Sequence, residues 1–366
     1  MAHGLGQRAD AKAATPSPRA NPDLAGHESV ERELRRLVEA GRLPHAILLS
    51  GPRGIGKATL AFRFARFLLA SADHPTKAFA EGGLAIDPEC GIFHRVAAGG
   101  HADLLTVERA YDPRRRRLRS EIVVDDAREI TSFFRLTAAE EGWRVVIIDG
   151  AEEMNRSAAN ALLKILEEPP RLALLLLTCD TPGRLLPTIH SRCRRFPLVP
   201  LARAVVMQLL RRYRPELAQS EVEALAGLSD GSIGRALELA QAGGLALYRS
   251  VLEMLAQLPQ LDVIRLHAFA DQLARPDAED AYRVGGELLL RLLALLTMCS
   301  ARRSIGEEEI VAGDEAIWRL AARADAARWA TLRAEIDRIF VSTDDLNLDR
   351  KQAMLGAFLA IEERAR

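Results

Sequence analysis

The sequence predicts an α/β domain built on a parallel sheet in its first half and an all-helical second half. Three observations carry this expectation. From Leu24 to Leu198, short apolar runs alternate with longer segments of helical periodicity, the pattern of a parallel sheet covered by helices. The first such run, Ala46-Ile47-Leu48-Leu49-Ser50, feeds directly into the glycine-rich stretch Gly51-Pro52-Arg53-Gly54-Ile55-Gly56-Lys57. After Pro197 and Pro200, strand signals almost vanish and Ala, Leu, Arg and Glu dominate.

Taken in order, residues 1–22 are polar and Ala/Pro-rich, with no apolar core of a secretory leader, and are expected as a flexible tail. Residues 23–200 make the α/β domain, with strands expected at Ile47–Ser50, Leu104–Val107, Arg144–Ile148 and Leu172–Thr178. Leu60, Phe64, Phe67 and Leu68 recur at helical spacing, so the glycine-rich loop opens a helix. Asn160–Pro170 reads as an amphipathic helix with Leu162, Leu163 and Leu166 on one face, stopped by paired prolines. Residues 201–243 form a small helical unit, and the break at Ala242-Gly243-Gly244 opens a longer helical region, 244–366. No membrane span is expected: Leu172–Leu177 is too short, and Leu288–Met298, interrupted by Arg291, reads as a buried helix.

Composition narrows the class. The 366 residues suit two or three domains, and 50 Lys+Arg balance 50 Asp+Glu, so no global charge points to nucleic acid or membrane. Four cysteines, Cys90, Cys179, Cys193 and Cys299, are scattered without CxxC spacing. That suits reduced thiols in a cytoplasmic protein, and neither a disulfide framework nor a four-cysteine zinc site.

The glycine-rich loop is a phosphate-binding loop with one part missing. In such a loop, backbone N–H groups at Gly51, Gly54 and Gly56 and the start of the next helix cradle phosphates, and Lys57 reaches the outer ones. The next position normally offers a hydroxyl to Mg²⁺; here it is Ala58. Thr59 is no substitute, because one step along a helix turns the side chain by roughly 100°. Arg144–Asp149 is an apolar strand ending in a carboxylate, where an Asp either holds Mg²⁺ or caps the following helix. The water-activating Glu often found next is Gly150, and Glu152 and Glu153 are expected to point elsewhere. Two departures that meet at the γ-phosphate predict a site that does not turn over. Further on, Arg192 in Ser191-Arg192-Cys193 lies on a loop from which it could reach a neighbouring subunit's nucleotide as an arginine finger.

The P-loop, the strand ending in Asp149, the Asn160–Pro170 string and Ser191-Arg192-Cys193 together resemble the AAA+ subunits of the bacterial DNA polymerase III clamp loader, and among them the delta-prime class. The resemblance covers roughly residues 23–240; the C-terminal helices fit the family's collar domain by position. It implies a hetero-pentamer with gamma/tau and delta-type subunits that places a sliding clamp on primed DNA. It also implies that Arg192 acts in trans, that Thr178 sits where a γ-phosphate sensor lies, and that Arg235 sits at the second sensor arginine. A strand residue and an exposed helix charge remain the plain alternatives for Thr178 and Arg235. The expected ligand is ATP or ADP bound without efficient hydrolysis. Family members commonly carry a four-cysteine zinc module; here Cys90, His94 and His101 fall short of four ligands, so no zinc is expected. The run Arg114-Arg115-Arg116-Arg117-Leu118-Arg119 suits phosphate contact or a solvated loop. The alternatives are an active gamma/tau-type motor and a stand-alone ATP-binding scaffold.

Overall fold

The computed structural model describes residues 16–73, 83–112, 117–136, 138–139, 142–304 and 315–365. The chain opens with helix α1 (Glu28–Glu39), strand β1 (Ala46–Ser50), α2 (Lys57–Asp73) and α3 (Gly91–Ala97). Strand β2 (Leu104–Val107) leads into a two-residue hairpin of β3 (Tyr111–Asp112) and β4 (Arg117–Leu118). Then come α4 (Val124–Arg135), β5 (Arg144–Ile148), α5 (Arg156–Glu167), β6 (Ala173–Cys179), α6 (Pro187–His190) and β7 (Arg194–Pro197). Helices follow: α7 (Arg203–Tyr213), α8 (Gln219–Leu228), α9 (Ile233–Gln241), α10 (Gly244–Ala256), α11 (Val263–Leu273), α12 (Glu279–Ser304), α13 (Glu315–Ala321), α14 (Ala326–Leu346) and α15 (Arg350–Ala365).

Five strands form one parallel sheet in the order β2-β5-β6-β1-β7, an α/β architecture with the strand that enters the glycine-rich loop inside the sheet. Its strands read as unbroken apolar runs because both faces are covered. Ile47, Leu49, Val145, Ile147, Leu174 and Leu176 pack with α1 and α2 residues such as Leu34, Leu60, Phe64 and Leu68. Ala46, Leu48, Val146, Ile148, Leu175 and Leu177 face the other way, onto Ile130, Leu162 and Ile165. Alternation with a period of two, each half buried, is what a doubly covered parallel sheet requires. The four expected strands stand within a residue of their expected ends. The fifth, β7, was not expected. It sits at the sheet edge with only Phe196 buried, where Pro197 leaves no ladder hydrogen bond unmade inside the sheet.

The inner end of the stretch expected as a tail is tied down. A 3-10 turn at Pro18–Ala20 leads to carbonyls of Arg19 and Asn21 that accept from the Arg66 guanidinium at 2.8 and 2.7 Å. Arg66 is 1% exposed and lies 4.6 Å over the Phe93 ring; burial lowers its pKa to about 10.

The chain divides into two compact units, one ending at Ala236 and one starting at Leu237, so the division falls inside α9. In the second unit α12 is the central helix, packed by α10, α11, α13 and α14. Glu279–Arg303 is long and apolar enough to cross a membrane by composition, but half of its most apolar window is buried within the protein, with Leu288, Leu289, Leu292, Leu293 and Leu296 all enclosed.

Candidate functional site

Parallel register brings Ser50, Ile148 and Cys179 to the same edge of the sheet, so the loops after β1, β5 and β6 converge at the carboxyl ends of the strands. The glycines of the first loop each answer a constraint. A Cβ at Gly51 would lie 2.4 Å from the Leu198 carbonyl oxygen, and Gly54 and Gly56 adopt φ values of 75° and 105°. Lys57 begins α2 and is only 5% exposed. Its ammonium donates to the Gly51 carbonyl at 2.8 Å and the Pro52 carbonyl at 2.7 Å, and pairs with the Asp180 carboxylate. Three donors meet three acceptors. Ala58 and Thr59 are half-buried on the first turn.

Three contacts to this loop were not legible in the sequence. His27 is buried and its Nε2 stands 2.7 Å from the Ile55 carbonyl, so Nε2 carries the donated proton. Ser232 Oγ donates to the Arg53 carbonyl at 2.8 Å and the Gly234 N–H donates to the Gly54 carbonyl at 2.9 Å. The fit is backbone on backbone: a Cβ at Gly234 would lie 2.8 Å from Gly54 Cα. This seats Arg235 beside the loop. Its Nη1 is 3.6 Å from Asp230, while its buried Nε has no hydrogen-bond partner among the described residues. A cation with a spare buried donor, next to a loop built around a lysine, fits a polyphosphate; the metal-ligating hydroxyl is missing at Ala58.

Asp149 does not cap a helix. The Thr178 hydroxyl donates to its Oδ1 at 2.5 Å and accepts from the Gly150 N–H at 2.9 Å, joining the ends of β5 and β6. Gly150 adopts φ 81° ahead of a 3-10 turn, Ala151–Glu153. Glu153, expected to point elsewhere, is held by Arg109 beside Gly150. The turn folds its carboxylate back so that a Cβ at Gly150 would meet Oε2 at 2.8 Å, and Arg109 Nε holds that oxygen at 2.7 Å. Burial raises the Glu153 pKa; Arg109 opposes this, and Glu152, Asp149 and Asp180 add to it. Glu152 instead accepts from the N–H groups of Asp180 and Thr181 at 2.6 and 3.2 Å, bracing the residue that pairs with Lys57.

Arg192 lies elsewhere. The register Ile47↔Arg194 and Ser50↔Pro197 puts it at the amino-terminal edge of the sheet, a strand's length of roughly 15 Å from the phosphate loop. It is 36% exposed and pairs with Glu167 at 2.7 Å. Its neighbour Cys193 is buried, which pushes the thiol up to about 12.

The remaining candidates are dispersed. Cys90 caps α3 by accepting from the Phe93 N–H at 3.4 Å; His94 is exposed, and His101 is buried and accepts from the Asp103 N–H at 3.2 Å. Among the described residues, no group of three His, Cys, Asp or Glu side chains is placed to hold a metal. Arg114, Arg115 and Arg116 lie outside the described residues; Arg119 closes the hairpin through its N–H to the Ala110 carbonyl at 2.8 Å.

Residues 26–202 match the family described as "DNA polymerase III, delta subunit". The chain is 41% identical over 190 residues to DNA polymerase III subunit delta′ of Pseudomonas aeruginosa, covering 51% of this chain and 53% of the relative. It is 29% identical over 229 residues to subunit tau of Bacillus subtilis, covering 61% of this chain and 37% of the relative. The chain thus spans about half the length of the first relative and less of the second. A gamma-subunit-related protein of Thermotoga maritima aligns with 19% identity and TM-score 0.46 over 92% of this chain and 100% of its own. Over residues 26–202, then, the chain matches the model of the DNA polymerase III delta-subunit family, and it is similar to delta-prime and tau subunits.

Proposed function

We propose that this protein is a non-motor, delta-prime-type subunit of a DNA polymerase III clamp loader, donating Arg192 as an arginine finger to a neighbouring ATPase subunit. One observation carries the reading: Arg192 and Lys57 stand at opposite edges of the same sheet. An arginine so placed cannot reach the nucleotide of its own loop, so any phosphate it serves belongs to another chain. The resemblance that names Arg192 also names the setting: a hetero-pentamer with gamma/tau and delta-type subunits, acting in the cytoplasm on a sliding clamp and primed DNA.

The chain's own site suits binding better than turnover. Gly51, Gly54, Gly56 and Lys57 would hold the phosphates of ATP or ADP, with Thr178 and Arg235 near the terminal one. A bound nucleotide supplies negative charge that these groups neutralise. Ala58 brings no metal ligand, and position 150 has no carboxylate of its own. A reconstituted loader carrying Arg192→Ala should lose about 10³–10⁵ in the ATP turnover of the adjoining site. Lys57→Ala should leave that turnover near wild type. Wild-type turnover with Arg192→Ala would sink the finger role. The tau relative favours a second reading, an active gamma/tau-type motor, which predicts that Lys57→Ala is the damaging change.

A further inference from the structure

The guanidinium of Arg192 is gripped at two points by its own chain. Nη2 donates to Glu167 Oε1 at 2.7 Å, and Nη1 donates to the Thr188 carbonyl at 3.0 Å. Glu167 is the last residue of α5, a helix capped by the Asn155 side chain on the Ala158 N–H at 2.9 Å and pinned to the core by Leu162, Ile165 and Leu166. Thr188 lies in α6, whose Ile189 is fully buried. Both acceptors therefore sit on elements whose positions are set by the core. A guanidinium carries five N–H donors in a rigid plane, so two can be engaged while three remain for a ligand.

Resting on the finger reading above, we infer that Glu167 is a positioning residue for Arg192. With the Thr188 carbonyl it fixes the plane of the guanidinium, so that the unused donors are already oriented when the polyphosphate of a neighbouring subunit arrives. A long surface side chain otherwise has to be ordered during that encounter, and ordering it beforehand removes that cost from the reacting state. The pair contributes no more than about fivefold to the folding equilibrium, or about 1 kcal/mol, the upper range for ion pairs this exposed.

The test uses the assembled loader containing the full chain as wild type, Glu167→Ala, Glu167→Gln, Arg192→Ala and Glu167→Ala/Arg192→Ala, with equal assembly checked by gel filtration. Glu167→Ala should lower kcat about fivefold, the upper range for an exposed pair. KM for ATP should stay unchanged, because a finger acts on charge that develops in the transition state. Glu167→Gln keeps an acceptor oxygen and should recover to within about twofold of wild type. In the Arg192→Ala background, Glu167→Ala should change nothing more, the non-additivity of a residue acting through its partner. Wild-type kcat in Glu167→Ala overturns the inference, as does an equal loss with Arg192 absent. If Arg192→Ala collapses turnover while Glu167→Ala does not, the finger stands and only its positioning falls. If Arg192→Ala itself turns over at the wild-type rate, the finger reading has failed and takes this inference with it.

Discussion

Lys57 and Arg192 are the two cations to which the proposed function assigns nucleotide chemistry, and the fold treats them in opposite ways. Lys57 is 5% exposed and directs its three N–H bonds at the Gly51 carbonyl, the Pro52 carbonyl and Asp180. Arg192 is 36% exposed and is held by Glu167 and the Thr188 carbonyl. The contrast extends to their surroundings. The phosphate loop is also fastened by His27, Ser232 and Gly234, whereas Arg192 stands on a short turn between α6 and β7. One site is internally compensated and the other is left available. The role proposed for Arg192 in a neighbouring subunit's site would need the second.

The largest consequence is mechanical. Adding one methyl at Gly234 places a Cβ 2.8 Å from Gly54 Cα and 3.3 Å from the Gly54 carbonyl oxygen, and neither backbone can yield without breaking the Gly234 N–H bond to that carbonyl. Gly234→Ala is expected to cost about 2 kcal/mol, as overpacking of a closed contact does. Arg192→Ala, at a half-open surface, should stay within about 0.5 kcal/mol of wild type. Urea unfolding of both variants measures this directly. Equal losses would mean that the two edges are equally constrained, and the contrast would collapse.

The next consequence concerns Asp180, which acts on Lys57 as a phosphate would. Nucleotide binding has to exchange this carboxylate, so Asp180→Asn should tighten binding of ATP or ADP about tenfold, the worth of one hydrogen bond to a charged group. Calorimetric titration with ATP and no added metal reads the effect, and Lys57→Ala serves as the non-binding control. Affinity that falls instead would show that Asp180 helps to hold the ligand. No equivalent gain is available at Arg192, whose acceptors leave donors free.

What the sequence made legible divides along the same line. The strands of the sheet stood out because burial on both faces requires unbroken apolar runs, as in Val145–Ile148 and Leu174–Leu177. The loop Gly51–Lys57 stood out because its backbone geometry demands glycine at fixed spacing. β7 did not: its exposed Arg194 and Arg195 and terminal Pro197 imitate a loop, and only pairing with β1 makes it a strand. Nor did the contacts that close the phosphate site. His27 to Ile55 and Ser232 to Arg53 join residues 28 and 179 positions apart, through a side chain on one end and an unremarkable carbonyl on the other. The turn that returns Glu153 over Gly150 depends on a φ of 81° that no residue type announces beyond glycine itself. Motifs report which groups are present; whether they face each other or the solvent is decided by tertiary register.

The smallest expected effect compares the two carboxylates that hold arginines. Glu167 holds Arg192 in the open, at 52% exposure, while Glu153 holds Arg109 in a more enclosed pocket that already contains Asp149, Glu152 and Asp180. Burial raises the Glu153 pKa above its ordinary 4.5 despite Arg109. The folded state therefore grips this proton more tightly than the unfolded chain does. The associated stability is fully present below pH 4.5 and is lost as pH rises through the raised folded value. Glu153→Gln, permanently neutral, should remove that loss and flatten the stability profile on the alkaline side of 4.5, changing stability at neutral pH by less than about 1 kcal/mol. Chemical unfolding at a series of pH values is the measurement. A steeper profile in Glu153→Gln would mean that Arg109 outweighs burial, and the enclosed edge would then be better compensated than its crowding of carboxylates implies.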